Sequence, residues 1–406
     1  MSNITHTGML YVIAILFFSL GFALGINSLL IPILRTVFQL SSAQSYLVLT
    51  ATYSTFVLFS YPSGLLIQKY GYKKSIIISF VLFAIGLYLY IPSGLYKNFI
   101  LFLLASFVSG LGNTLLQAAI NPYITILGPL QSATRRMCLM TIANRLGWAV
   151  APILLSFFVD ITSVETHLAD IVFPFYLIVI IFVVLGLFSF FVPFPELAVA
   201  RSVELTPQCS IFKLLQNHPR LLWGIVALFF YVGIDTLCLV SIVDFAQSIE
   251  LDDPEKYTSY TVLGVSLGCI LGAWAIPKYV SQEIAFKWGI IIAFFTSLFL
   301  PWCAPSIVIY LIPVVAFGIS TTWGTVWALA IEGLEEYTKI GGSLLVSSIV
   351  GGAILPIFFG YCIDIAESVQ KAYWLFAPCL AFILLYAFME NISLNKYIKK
   401  KWKNIF

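Results

Sequence analysis

The sequence predicts an all-α membrane protein with twelve transmembrane helices, arranged as two pseudo-symmetric six-helix bundles. Apolar runs follow one another almost end to end over the 406 residues, and a run of about 20 apolar residues crosses a bilayer as a helix. Of all residues, 61% are hydrophobic and only 10% are charged, whereas an ordinary soluble domain carries about 25% charged residues. Short sequence matches between the two halves of the chain are the third observation.

The predicted spans are 9–33, 45–68, 75–92, 98–127, 137–159, 170–194, 220–248, 258–280, 285–303, 306–332, 341–363 and 370–391. Because their number is even, both chain ends are expected on the same side of the membrane. If that side is the cytoplasm, the outer loops hold only Arg35, Lys97, Lys256 and Lys371, and all other Lys and Arg except Arg145 lie in inner loops and the tail. The positive-inside rule therefore predicts cytoplasmic termini. The start of the chain lacks a signal peptide, which favours a multi-pass protein of a bacterial inner (plasma) membrane.

The longest inner connection divides the chain into two halves. The prediction is an N-terminal six-helix bundle (1–194), a cytoplasmic linker (195–219) and a C-terminal six-helix bundle with a basic cytoplasmic tail (220–406). Residues 25–29 of span 1 read GINSL, and residues 233–237 of span 7 read GIDTL. Such internal repeats are typical of transporters whose substrate site lies near the midplane, between the halves.

Other classes of protein have little support. The seven cysteines form no CxxC pair, and the three histidines lie outside the spans without metal-ligand spacing, so neither a metal nor a cofactor is expected. A net charge of +3 argues against a nucleic-acid partner. The absence of HExxH and Gly-rich nucleotide motifs argues against an enzyme. We expect a monomer whose partners are the lipid bilayer and a small-molecule substrate.

Three amides mark span 4. Asn113, Gln117 and Asn121 are four residues apart, which places them on one helix face. Amides that face lipid would leave costly unpaired donors and acceptors. The face must therefore meet a neighbouring helix, through interhelical hydrogen bonds, or a water-filled cavity. Three amides exceed what one helix contact needs, which favours the cavity.

Charged residues inside spans are the second group of candidates. Arg145 is the one Lys or Arg well inside a predicted span, away from its ends, and it shares a broad face of span 5 with Asn144 and Trp148. A guanidinium there needs a partner or water. It either lies at the cytoplasmic mouth of a cavity or near a carbonyl, or it pairs with Asp235 or with the substrate.

Asp235 lies inside span 7, one turn after Tyr231. A carboxyl group in an apolar region can bind and release a proton near neutral pH, as a proton-coupled carrier requires. A static ion pair with Arg145 is the alternative. In span 10, Trp323 and Trp327 offer aromatic surfaces of the kind that suit the C–H faces of a sugar.

Residues 64–74, GLLIQKYGYKK, lie between spans 2 and 3. They resemble the cytoplasmic motif of the major facilitator superfamily. Gly64, Lys69, Gly71 and Lys73 fit this motif, whereas Gln68 stands where an aspartate is usual. The resemblance implies the twelve-helix major facilitator fold, with this motif as part of a cytoplasmic gate.

Further segments resemble the fucose–proton symporter family and, within it, the glucose/galactose transporter branch. They are 114–123 (TLLQAAINPY), 127–129 (LGP), 231–235 (YVGID), 328–334 (ALAIEGL), 341–345 (GGSLL) and 349–356 (IVGGAILP). The resemblance implies sugar import by alternating access, coupled to a cation, with Asn27, Gln117, Asn144 and Asp235 at matching site positions.

The chain also departs from this family. Ser28 stands where the fucose branch has an acid, Ala273 stands where an arginine is common, and Arg145 replaces a small residue. The sequence therefore predicts a hexose importer, coupled to protons through Asp235. The alternatives are an uncoupled facilitator, or a carrier or exporter of another small polar or anionic metabolite that uses Arg145. The candidate substrate contacts are Asn27, Asn113, Gln117, Asn121, Asn144, Trp148, Tyr231, Trp323 and Trp327.

Overall fold

The computed structural model describes residues 6–39, 47–156, 172–192, 194, 211–252 and 254–403. This part of the chain is almost entirely helical. Its α-helices are α1 (His6–Val37), α2 (Leu47–Leu95), α3 (Phe99–Ile126), α4 (Ala133–Ser156), α5 (Val172–Phe191), α6 (Ile211–Asn217), α7 (Pro219–Ser248), α8 (Thr258–Ala275), α9 (Gln282–Phe299), α10 (Pro305–Ile319), α11 (Thr322–Ile331), α12 (Thr338–Ser347), α13 (Gly351–Ala366), α14 (Val369–Ala372) and α15 (Phe376–Lys403). We refer to α1–α5 as the first half and to α7–α15 as the second half.

Ten segments of the described chain are long and apolar enough to cross a membrane. One of them, Thr50–Leu95 in α2, has the length of two crossings and bends at Gly71. Helix α4 is not among the ten, because arginines and other polar residues lower its hydropathy. Dividing α2 at the bend and adding α4 gives the twelve predicted crossings. Most of the predicted linker, residues 195–210, lies outside the described residues.

The bend in α2 lies in the motif that the sequence singles out. Gly71 has φ 77°, a left-handed conformation that glycine adopts without a steric cost. Lys69 is exposed, with its Nζ 5.2 Å from the centre of the Tyr70 ring, and the Lys73 Nζ lies 5.7 Å from the Phe190 ring. We call the end of the helical bundle that carries Gly71 the motif end.

The structure divides spans 10 and 11, which the sequence predicts as unbroken helices. Span 10 consists of α10 and α11, and span 11 consists of α12 and α13. Beside the second break, the Ser347 and Ser348 hydroxyls donate to the backbone oxygens of Leu344 and Leu345, each at 2.6 Å. Side-chain hydrogen bonds of this kind compete with the backbone bonds that continue a helix.

Buried hydrogen bonds join the two halves at the motif end. The backbone N–H and the hydroxyl of Thr134, at the start of α4, donate to Gln282 Oε1 at 3.3 and 3.0 Å. The Thr134 hydroxyl also lies 2.9 Å from the Thr325 hydroxyl of α11. All three residues are buried, so this polar contact is shielded from solvent.

Small residues bring the helices of the two halves close together beside these bonds. A methyl group built on Gly64 of α2 would overlap the Ser343 hydroxyl of α12. A methyl group built on Gly342 would lie 3.0 Å from Pro122 Cγ of α3. We call these contacts together the seal: Gly64 with Ser343, Pro122 with Gly342, and Thr134 with Gln282 and Thr325.

The Gly64–Ser343 contact generates the first prediction. Gly64→Ala should lower the melting temperature of the purified protein, because overpacking typically costs about 1–3 kcal/mol. In the Gly64→Ala/Ser343→Gly double variant, the atoms that overlap the new methyl group are gone. A double-mutant cycle should therefore show a coupling of about 1–3 kcal/mol between the two sites. Simple addition of the two single effects would contradict the direct contact.

Candidate functional site

A cavity of about 230 Å³ lies between the two halves. Its polar and aromatic lining consists of Phe17, Tyr53, Gln117, Thr141, Asn144, Arg145 and Trp148 from the first half and Tyr231, Asp235, Thr236 and Trp323 from the second. Helix α4 runs away from the motif end, and Thr141 lies about 10 Å beyond Thr134 at 1.5 Å per residue. The seal therefore lies between the cavity and the motif end.

An ion pair crosses the cavity from one half to the other. Arg145 Nη2 of α4 donates to Asp235 Oδ2 of α7. Each side chain is only 13% exposed, so both charges are largely removed from water. Of the alternatives that the sequence leaves open for Arg145, the structure shows the pair with Asp235.

The ion pair does not use all of its hydrogen-bonding atoms. Arg145 Nε and Asp235 Oδ1 have no partner among the described residues, and both atoms are buried. Both residues line the cavity, but these two atoms are closed off from it in this conformation. A ligand hydroxyl can bond to them only after the pair has moved.

The three amides predicted to share one site lie at different heights along α3, and only one of them lines the cavity. Gln117 lines the cavity, and its Nε2 donates to Asn113 Oδ1 at 2.8 Å. Asn113 is 2% exposed and lies behind Gln117, whereas Asn121 is fully buried one turn nearer the motif end. Residues four apart differ by about 40° around a helix and by about 6 Å along it. The cavity therefore reaches only the middle amide, and Asn113 and Asn121 do not line it.

Asn144 lines the cavity and also holds α1 against α4. Its Nδ2 donates to the backbone oxygen of Phe17 at 3.2 Å. Gly21 of α1 and Gly147 of α4 allow the two backbones to touch, because a methyl group on either would overlap the opposite helix. This close packing fixes the Asn144 amide, and the side-chain oxygen is left for a ligand.

The aromatic candidates fall into two layers. Trp148, Tyr231 and Trp323 line the cavity. Trp327 does not, since it is fully buried and packs behind Trp323, with ring centres 5.7 Å apart. The prediction that both tryptophans of span 10 line one site is therefore not met in this conformation.

Asn27 and Tyr53 complete the comparison between the predicted and the observed cavity residues. The side chain of Asn27 lies outside the described part of the chain. Tyr53 of α2 lines the cavity, and sequence reasoning missed it. Its position next to Gly352 of α13, 3.6 Å from a methyl group built there, follows only from the packing of the two halves.

Comparisons with known proteins agree with this architecture. The sequence pattern of the Major Facilitator Superfamily matches residues 13–356. A glucose/galactose transporter of Brucella abortus is 30% identical over 393 residues, covering 94% of this chain and 93% of the relative. An L-fucose-proton symporter of Escherichia coli is 25% identical over 400 residues, covering 92% of this chain and 90% of the relative.

A crystal structure of FucP, a major facilitator superfamily transporter in the outward conformation, has the same fold. The TM-score is 0.84 at 25% identity, and the match covers 94% of this chain and 98% of FucP. The predicted twelve-helix fold is confirmed by this match. The relatives are transporters and not enzymes, as the sequence predicts. The family match and the relative at 30% identity show that this chain belongs to the major facilitator superfamily.

Proposed function

We propose that this protein is a secondary transporter that imports a hexose-type sugar by alternating access, coupled to protons through Asp235. The observation that carries the proposal is the largely buried ion pair that lines the cavity and joins the two halves. The relatives named glucose/galactose transporter and L-fucose-proton symporter support the same substrate class.

The cavity has the chemistry that a single sugar ring requires. Trp148, Tyr231 and Trp323 provide ring surfaces for its C–H faces, and Gln117 and Asn144 provide amides for its hydroxyls. At about 230 Å³, the cavity is smaller than the about 300–1,000 Å³ of drug-sized sites. This size favours a monosaccharide over a larger saccharide.

Alternating access requires that the cavity face one side of the membrane at a time. With both termini in the cytoplasm, the motif end is the cytoplasmic end, and the seal closes the cavity on that side. The conformation described here would then receive its substrate from outside. Release into the cytoplasm requires the halves to part at Gly64, Thr134 and their contacts in the second half.

The ion pair gives a physical route for proton coupling. A proton on Asp235 removes the negative charge that holds Arg145, and the charged link between the halves is lost. The other titratable groups near the pair are Tyr53, Tyr231, Cys238 and Cys269. All four are ordinarily uncharged at neutral pH, which favours Asp235 over them as the coupling group in this proposal.

Specific observations favour two other functions. Arg145 lines the cavity, and the carboxylate of a sugar acid could replace Asp235 as the partner of its guanidinium. Ser28 and Gln117 stand where the fucose branch has acids, which would fit an uncoupled facilitator. Uptake measurements separate these functions.

The substrate and the coupling can be tested together in proteoliposomes. We expect wild-type protein to accumulate radiolabelled D-glucose or D-galactose when an inward proton gradient is imposed, and a protonophore should abolish the accumulation. D-Gluconate, with its carboxylate, serves as the anionic comparison. Accumulation of gluconate alone would favour the anion carrier, and sugar equilibration that ignores the gradient would favour the facilitator.

The role of Asp235 needs a variant that does not leave a buried guanidinium unpaired. Asp235→Asn alone would be destabilised by about 3–5 kcal/mol, as expected when one partner of a buried pair is removed. The Arg145→Leu/Asp235→Asn double variant should fold, exchange sugar across the membrane and fail to accumulate it. Wild-type accumulation by the double variant would show that the pair is static and that coupling lies elsewhere.

The cavity amides should contribute to affinity. Gln117→Ala and Asn144→Ala should each weaken sugar binding about tenfold, because one hydrogen bond of about 1.4 kcal/mol is lost. Gln370→Ala is the matched control, since this amide donates only to the backbone oxygens of Leu300 and Cys303, away from the cavity. Equal affinities in all three variants, measured by equilibrium binding, would exclude the amides as substrate contacts.

A further inference from the structure

Among the buried polar side chains that lack a partner in the part of the chain that the structure describes, Asn121 and Trp327 lie between the cavity and the motif end. Asn121 is 0% exposed, and neither its Oδ1 nor its Nδ2 has a partner. Trp327 is also 0% exposed, and its indole Nε1 has no partner. Buried donors and acceptors without partners destabilise a fold and are few in native proteins, so these two require an explanation.

The two side chains have the same spacing from a cavity residue of their own helix. Asn121 follows the cavity residue Gln117 by four positions in α3, and Trp327 follows the cavity residue Trp323 by four positions in α11. Both helices run toward the motif end. Four residues advance about 6 Å along a helix. Each unpartnered group therefore lies one helical turn nearer the motif end than a residue that lines the cavity.

Both groups lie at the seal. Pro122, the neighbour of Asn121, is 3.0 Å from a methyl group built on Gly342, and Trp327 Cζ3 is 3.5 Å from the same built atom. Pro122 from the first half and Trp327 from the second thus meet at one glycine of α12, and Asn121 is the residue next to this contact. Parting of the halves would separate Pro122 from Gly342 and open the space beside both groups, on the path from the cavity to the motif end.

Aromatic rings continue from the cavity to this place. The Tyr231 and Trp323 ring centres are 6.0 Å apart, and those of Trp323 and Trp327 are 5.7 Å apart. The first two rings line the cavity, and the third is buried at the seal. The planes of neighbouring rings are tilted by 37° and 56°, and the three rings form a continuous aromatic series on which the C–H face of a sugar can pack.

We propose that Asn121 and Trp327 form a second monosaccharide subsite, which the sugar occupies on its way to the motif end once the seal has opened. The Trp327 ring packs against the sugar ring, and its N–H donates to a hydroxyl. The Asn121 amide donates to and accepts from neighbouring hydroxyls. This inference rests on the proposed function, because it takes the substrate to be a sugar.

The indole N–H is tested with two variants that keep an aromatic ring. Trp327→Phe removes the donor, and Trp327→Tyr supplies a hydroxyl in its place. With D-glucose or D-galactose as the probe, whichever the wild type transports, turnover in proteoliposomes should fall about tenfold for Trp327→Phe. It should recover to within about twofold of wild type for Trp327→Tyr, and the equilibrium affinity should remain unchanged in both.

The amide is tested independently. Asn121→Leu removes the donor and the acceptor, and Asn121→Ser retains a hydroxyl with both capacities. Turnover should fall about tenfold for the Leu variant and recover in the Ser variant, again without a change in affinity. Ser106→Ala is the control: its hydroxyl is buried in the same helix but is partnered by Phe102 and Tyr90, so its loss should lower the melting temperature and leave turnover unchanged.

These results separate the inference from the proposed function. Equal turnover of Trp327→Phe and Trp327→Tyr, or a loss of affinity in place of turnover, would overturn the second subsite. A lower melting temperature of Asn121→Leu with normal turnover would show that the amide is structural. If Gln117→Ala loses affinity while these variants behave as wild type, only the subsite fails; if the wild type moves no sugar, the proposed function fails and the subsite with it.

Discussion

The ion pair between Arg145 and Asp235 is the interaction on which the rest of the site depends. Each charge lies in an apolar helix, where it is tolerated only with a partner or with water. Because the partners come from α4 and α7, their attraction acts between the halves of the molecule. Removal of two charges from water costs several kcal/mol per ion. In the proposed transport cycle, a pair with this cost between the two halves is better suited to a switch than to simple stabilisation.

The departures from the family pattern gain a physical meaning from this pair. The fucose–proton symporter resemblance implies an arginine at the position of Ala273, in α8, which belongs to the same half as Asp235. In this chain the guanidinium comes from Arg145 of α4, and α4 packs against α8. Relative to the pattern that the resemblance implies, the positive charge lies in the opposite half. In this chain the pair spans the interface between the halves.

The seal and the cavity use different chemistry because they have different tasks. At the seal, Gly64 and Gly342 let the backbones of opposite halves approach closely, as small residues do in membrane bundles. Thr134 and Gln282 add hydrogen bonds that have a defined direction. The unpartnered amide of Asn121 weakens the same region. Close packing and unsatisfied polar groups in one place are consistent with a contact that has to open in every cycle.

The sequence by itself determined the membrane class, the twelve crossings and the need for partners around Arg145 and Asp235. These features depend only on the hydrophobicity and charge of successive residues, and not on which helices come into contact. The sequence also placed the connection between spans 2 and 3 in the segment where the structure bends, at Gly71. Only the tertiary structure decided that the two charges, 90 residues apart, form a pair. It also decided that Gln117 faces the cavity while Asn121 does not, and that Tyr53 joins the site. Which helix face meets which neighbour depends on close contacts between small residues of distant segments, and no local pattern specifies them.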